Sequence, residues 1–179
     1  MSNATTVLLC GVGGQGTILA ADLLARTALA SNYDVKVSEI HGMSQRGGAV
    51  TTVVRFGTEP VATMVADHGC VDCVVSFETT EALRNLPFVR EGGYLLVADE
   101  DIKPLPVLIG KAGMPENARE KLQAAGASLI PAGPIAEQVA TAKSVNVVLL
   151  GALATRLDFS EEVWKEVISK RVPPKTVEA

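Results

Sequence analysis

The residues with the most chemical potential lie close to the start of the chain. Gly11-Val12-Gly13-Gly14-Gln15-Gly16 follows the apolar run Thr6 to Cys10 and leads into Thr17. At the spacing of Gly11, Gly13 and Gly16, the first glycine permits a tight turn after a strand. The second lets a ligand approach the backbone, and the third brings the next helix against the strand. The start of that helix offers unpaired N–H groups and a partial positive charge, which favour a phosphate, carboxylate or pyrophosphate. The Thr17 hydroxyl adds a donor. Glu39 lies about twenty residues beyond the turn, where a dinucleotide-binding fold places its ribose-binding acid. Glycines between a strand and a helix also serve close packing and nothing else. Gln15 and the extra Gly14 make the turn more polar and flexible than a dinucleotide fingerprint requires.

A second group, His41-Gly42-Met43-Ser44-Gln45-Arg46-Gly47-Gly48, sets an imidazole, an amide and a guanidinium among glycines. Loops at the carboxyl ends of neighbouring parallel strands converge, so this loop is expected near Gly11 to Gly16. Arg46 there supplies a fixed bidentate donor that backbone amides lack. Equally, Arg46 suits a surface or subunit ion pair, and His41 suits a solvated loop. The thiols are Cys10, Cys70 and Cys73, each inside or beside an apolar run. Cys70-x-x-Cys73 is short of the four ligands that a zinc or iron–sulfur centre normally takes. All three cysteines are therefore expected to be buried and structural.

These groups need a frame. Thr6 to Cys10, the glycine turn and Thr17 to Leu29 read as strand, turn and helix, with Ile18, Leu19, Leu23 and Leu24 at helical spacing. Asp34 to Ile40 alternates apolar and polar residues and reads as the second strand of a βαβ unit. Ala49 to Phe56 and Val61 to Val65 are β-branched runs flanking Gly57-Thr58-Glu59-Pro60, the pattern of an antiparallel hairpin. With its exposed edge and outer face, that hairpin is the expected contact surface for another protein. Strands follow at Asp72 to Phe77 and Gly93 to Ala98, with a helix at Thr80 to Leu86 between them. Further on, Val107 to Ile109 reads as a short strand, Pro115 to Ala125 as a helix stopped by Gly126, and Ser128 to Pro131 as a brief strand. Helical segments follow at Ile135 to Ala140 and Val145 to Leu157, and Ser160 caps a last helix with Glu161 and Glu162 in its first turn. The sum is an α/β, Rossmann-like three-layer domain, its sheet mostly parallel with an inserted β-hairpin.

The 179 residues suit one domain with a sizeable core, 47% of them hydrophobic and 20% charged. A formal net charge of -4 argues against a nucleic-acid partner, since it leaves no global basic bias. The apolar runs are too short to cross a bilayer. No basic and apolar leader opens the chain, and the odd cysteine count suits reduced thiols, so the expected compartment is cytoplasmic. Ser2-Asn3-Ala4 has the look of a scar left by tag cleavage.

Together, GVGGQG and SEIHGMSQRGGAVTTVVRFG resemble the gamma-type subunit or domain of the pyruvate and 2-oxoacid ferredoxin oxidoreductases. The wording HGMSQRGG is most similar to the small (beta) subunit of indolepyruvate ferredoxin oxidoreductase. The resemblance continues through Asn146-Val147-Val148-Leu149-Leu150-Gly151-Ala152 to the tail at Val172-Pro173-Pro174. Such chains usually run on into another short helix, which implies that this one is truncated. The resemblance implies a complex that oxidatively decarboxylates a 2-oxoacid, such as an aryl pyruvate, to an acyl-CoA and reduces ferredoxin. Thiamine diphosphate, Mg and iron–sulfur clusters are then expected on a large partner subunit, and coenzyme A as a shared substrate. This chain would bind no cofactor or metal alone and contribute no catalytic residue. The family's coenzyme A side carries over to Gly11, Gly13, Gly14, Gln15, Gly16 and Thr17. His41, Ser44, Gln45, Arg46 and Gly47 come next. Asn146 suits a buried helix cap or packing amide as well as a ligand contact. Two further expectations are a homodimer when the chain is isolated and, on the residues of the turn alone, a stand-alone NAD(P)-dependent oxidoreductase. A purely structural interaction subunit is the third.

Overall fold

The structure is a computed structural model and describes residues 4–41 and 48–177. Its strands are β1 (Thr5–Val12), β2 (Asp34–His41), β3 (Ala49–Gly57), β4 (Val71–Ser76), β5 (Val89–Ala98) and β6 (Ser128–Ile130). They form one sheet in the order β2-β3-β1-β4-β5-β6. β1, β4, β5 and β6 pair in parallel, and β3 runs antiparallel to both of its neighbours, β1 and β2. Strands buried on both faces read as continuous apolar runs, and β1 does so: Val7 and Leu9 join one core, Leu8 and Cys10 the other.

The helices are α1 (Thr17–Ala30), α2 (Thr79–Asn85), α3 (Leu105–Leu108), α4 (Ala118–Ala124), α5 (Ala132–Val139), α6 (Val145–Ala154) and α7 (Glu161–Arg171). On one face, α1, α6 and α7 set Leu23, Leu24, Leu149, Leu150, Leu153 and Trp164 against Val7, Leu9, Val54 and Val75. On the other, α2 and α4 set Ala82 and Leu122 against Leu8, Val74 and Val97. The layers are helix, sheet and helix, as the residue pattern predicts.

The hairpin differs from expectation. β3 pairs with β2 from Val50 opposite His41 down to Gly57 opposite Asp34, and no strand forms at 61–65. β3 has apolar residues on both faces, and Val50, Val53, Val54 and Phe56 are all buried. Such a strand needs a neighbour on each side, and β1 and β2 fill both places. Residues 61–65 lie beside it instead, with the Val61 N–H on Asp34 and the Arg55 guanidinium on the carbonyls of Thr63 and Val65. On this side the edge strand is therefore β2, where Val37 and Ile40 are exposed, and the expected apolar contact surface at 49–65 shrinks to the exposed Met64 and Val65.

Two smaller expectations also change. Val107 to Ile109 is not a strand: the segment turns helically as α3, with the Val107 and Leu108 N–H groups on the Pro104 carbonyl. Pro106 has no N–H to give a strand ladder and suits a first helical turn. Cys10 and Cys73 are buried, but Cys70 is exposed. Cys70 sits in the turn before β4, outside the apolar run that buries Cys73.

Candidate functional site: the glycine turn

β1 ends at Val12 and α1 begins at Thr17, so the glycine turn stands at the carboxyl end of the parallel strands, as expected. Gln15 fixes its shape. Its Oε1 accepts from the Val12 N–H at 2.8 Å, and its Nε2 donates to the Phe77 carbonyl just past β4 at 2.8 Å. The amide is a staple between two strand ends, which makes the turn rigid where flexibility was expected. Gly11 leaves room for it, because a Cβ there would stand 2.7 Å from Gln15 Oε1 and 2.9 Å from Phe77 Cβ.

Gly16 caps α1 with φ of 83° and offers no side chain to the first-turn N–H groups. A Cβ at Gly16 would come within 2.8 Å of Asn146 Nδ2. Asn146 is buried in the first turn of α6, and its Oδ1 accepts from the Val147 N–H at 3.0 Å. The starts of α1 and α6 thus meet at Gly16. Neither helix has an acidic residue in its first turn, so two partial positive charges converge unneutralised.

Thr17 is 3% exposed, and its Oγ1 has no hydrogen-bond partner among the described residues. A buried polar group without a partner is rare enough to need a reason. The residue itself lines a hollow of about 290 Å³ with Val12, Gly13, Gly14, Gly16, Ile18 and Val50. Gly14, at φ of 103°, has nothing within 4 Å of where a Cβ would be, so the backbone there lies open.

Of the second group, Gly42, Ser44, Gln45, Arg46 and Gly47 lie outside the described residues, as does the His41 side chain. The ends of that loop are placed. His41 pairs with Val50 at the end of β2, and the Gly48 carbonyl accepts from the Gly13 N–H at 2.9 Å. The loop therefore leaves and returns beside the glycine turn. Glu39, by contrast, pairs with Thr52 on β3, and β3 separates it from β1. A dinucleotide-binding unit places its acid on the strand next to the turn, and here that neighbour is antiparallel and carries Thr52 and Thr51.

The two buried thiols are not activated. Burial pushes the Cys10 thiol up to about 12, despite a hydrogen bond with Ser76, and burial does the same to Cys73. Glu78 caps α2, accepting from the N–H groups of Thr80 and Glu81, and Glu81 is held above the usual carboxylate range by burial against the pull of Arg84. Among the described residues, no three His, Cys, Asp or Glu side chains gather as a metal site. Likewise, no helix there is long and apolar enough to cross a membrane.

A mixed α/β sheet with a stapled glycine turn and an exposed backbone arc defines a Rossmann-like domain. Residues 6–179 match the family described as pyruvate ferredoxin/flavodoxin oxidoreductase, and the chain belongs to it. It is 40% identical over 179 residues to the indolepyruvate oxidoreductase subunit IorB of Thermococcus kodakarensis, covering 96% of this chain and 88% of that one. It is 32% identical over 176 residues to the 2-oxoglutarate synthase subunit KorC of Methanocaldococcus jannaschii, covering 96% and 86%. The fold matches the keto/oxoacid ferredoxin oxidoreductase gamma subunit of Geobacter sulfurreducens with a TM-score of 0.70 at 23% identity, over 97% of this chain and 90% of that one. These relatives are subunits of oxidoreductases, and the resemblance drawn from the two motifs holds.

Proposed function

We propose that this chain is the gamma-type subunit of a cytoplasmic, thiamine-dependent 2-oxoacid:ferredoxin oxidoreductase, that it acts within the complex on an aryl pyruvate such as indolepyruvate, and that its glycine turn forms one wall of the coenzyme A site. The substrate class rests on the likeness to indolepyruvate oxidoreductase subunits. The wall rests above all on one observation, the buried Thr17 hydroxyl without a partner among the described residues at the meeting of two helix starts. A phosphate of coenzyme A there would accept from Thr17 and from the first N–H groups of α1. Arg46, with His41, Ser44, Gln45 and Gly47, belongs to the same proposal, supported by the placement of the loop's two ends.

In the overall reaction the bond from the 2-oxoacid carbonyl carbon to its carboxylate breaks and carbon dioxide leaves. The acyl group joins the sulfur of coenzyme A, the thiol proton is released, and the two electrons pass one at a time to ferredoxin. Thiamine diphosphate, Mg and iron–sulfur clusters supply that chemistry when bound. The donor set of the described residues does not fit them, so they belong on the large partner subunit and no step is assigned to this chain's side chains. Its part is to bind, orient and assemble as one gamma-type domain. NAD(P) is disfavoured by β3, which stands between β1 and Glu39.

Co-expression with a large thiamine-dependent subunit from the same organism tests this. The expected result is a stable complex that reduces ferredoxin or a viologen only when both an aryl pyruvate and coenzyme A are present, with the isolated chain inactive. NAD(P)H binding by the isolated chain, with no complex formed, would overturn the proposal.

A further inference from the structure

At the other end of β1 from the glycine turn, roughly 20 Å away along the strand, a cavity of about 200 Å³ opens between the strand starts and the segment joining α6 to α7. Four aromatic side chains are among its lining residues. Tyr33, Phe56 and Phe159 pack with ring centroids 5.2–5.8 Å apart, and Tyr94 lies 4.7 Å beneath the Arg156 guanidinium.

Four charged side chains face this cavity, and they divide into two kinds. Asp72 and Arg90 are committed to the fold: Asp72 Oδ1 takes Arg90 Nε at 2.7 Å, and Oδ2 takes the Thr6 N–H at 2.8 Å. Arg156 and Asp158 have neither an ion pair nor a side-chain hydrogen bond among the described residues, and they do not pair with each other. Tyr94 holds the guanidinium by its ring face only, which leaves the N–H edges free for an acceptor.

We propose that this cavity binds a free aromatic α-amino acid, its carboxylate on Arg156, its ammonium on Asp158 and its ring against Tyr33, Phe56 and Phe159. Arg156 alone would suit any carboxylate. The unpaired Asp158 two residues on adds a demand for a cation, and an α-amino acid carries both charges on one carbon. Drug-sized ligands occupy pockets of about 300–1,000 Å³, so a cavity below that range takes a guest of amino-acid size. Aromatic walls favour an aromatic side chain through offset and edge contacts. The adjacent Cys73 is protonated and buried, so it contributes no covalent chemistry.

Calorimetry on the full chain with L-phenylalanine tests the proposal, alongside 3-phenylpropionate, which lacks the ammonium, and phenethylamine, which lacks the carboxylate. L-Phenylalanine is expected to bind at least tenfold more tightly than either analogue. Arg156→Gln and Asp158→Asn, both at exposed side chains, are expected to weaken it at least tenfold while leaving the thermal transition in place. Absence of binding by the folded chain at about 10 mM would overturn the proposal. Equal binding of 3-phenylpropionate would do the same, as would binding undiminished in both variants.

Discussion

Thr17 is buried with its hydroxyl unsatisfied among the described residues, whereas Gln15 two residues earlier uses both ends of its amide. The two residues therefore respond to substitution in opposite directions. Thr17→Val keeps the shape and removes an orphan donor, so the isolated chain is expected to gain about 1 kcal/mol in urea unfolding. Gln15→Ala leaves the Val12 N–H and the Phe77 carbonyl without their partner and is expected to lose about 1–3 kcal/mol in the same measurement. The importance of Thr17 was legible in its place at the first helical position after a glycine turn. The role of Gln15 was not, since its partner is a backbone carbonyl just past β4, 62 residues away, and no side chain marks it. Asn146 was visible as a residue of interest, but only the packing of α6 on Gly16 shows why.

At the level of elements, the strand-turn-helix unit was readable because its signals are local: an apolar run, glycines, then helical spacing. The glycines differ in what they require, and that separates their variants. Gly14→Ala meets no neighbour and suffers only from its positive φ, at about 1–2 kcal/mol. Gly16→Ala adds a collision with Asn146 and is expected to cost about 1–3 kcal/mol beyond that, read as a lower urea midpoint. The pairing of β3 was misread because Gly57-Thr58-Glu59-Pro60 has the composition of a hairpin turn. The stronger signal lay in Ala49 to Phe56, whose apolar residues occupy both faces and so demand a central position. Residues 61–65 have the composition of a strand, but β1 and β2 already flank β3.

In the molecule as a whole, α7 is tied back to α1 across the chain by Arg171, whose Nε stands 2.6 Å from Asp22 Oδ2, with Arg26 on the other oxygen at 2.8 Å. Partial burial works against the Asp22 charge, but the two arginines outweigh it and hold the carboxyl below the usual range. Asp101 is also held low, by Thr79 first and then, against burial, by Arg119. A depressed carboxylate stabilises the fold above its unfolded-state pKa, and that contribution is lost as pH falls through the folded value. Unfolding stability is thus expected to drop below about pH 4. Asp22→Asn should cost under about 1 kcal/mol at neutral pH, because the pair is partly exposed. The deficit should vanish in acid. Glu81, raised by burial, acts in the opposite sense and offsets part of the acid loss.

The same scale holds the central claim, that the glycine turn is a wall of the coenzyme A site in an assembled oxidoreductase. The direct measurement is the dependence of 2-oxoacid oxidation on coenzyme A concentration in the complex, with wild-type chain and with Thr17→Val. Losing one hydrogen bond to a charged group predicts a KM for coenzyme A raised about tenfold or more, with the KM for the 2-oxoacid unchanged. An unchanged KM for coenzyme A in a fully assembled, active Thr17→Val complex would contradict it.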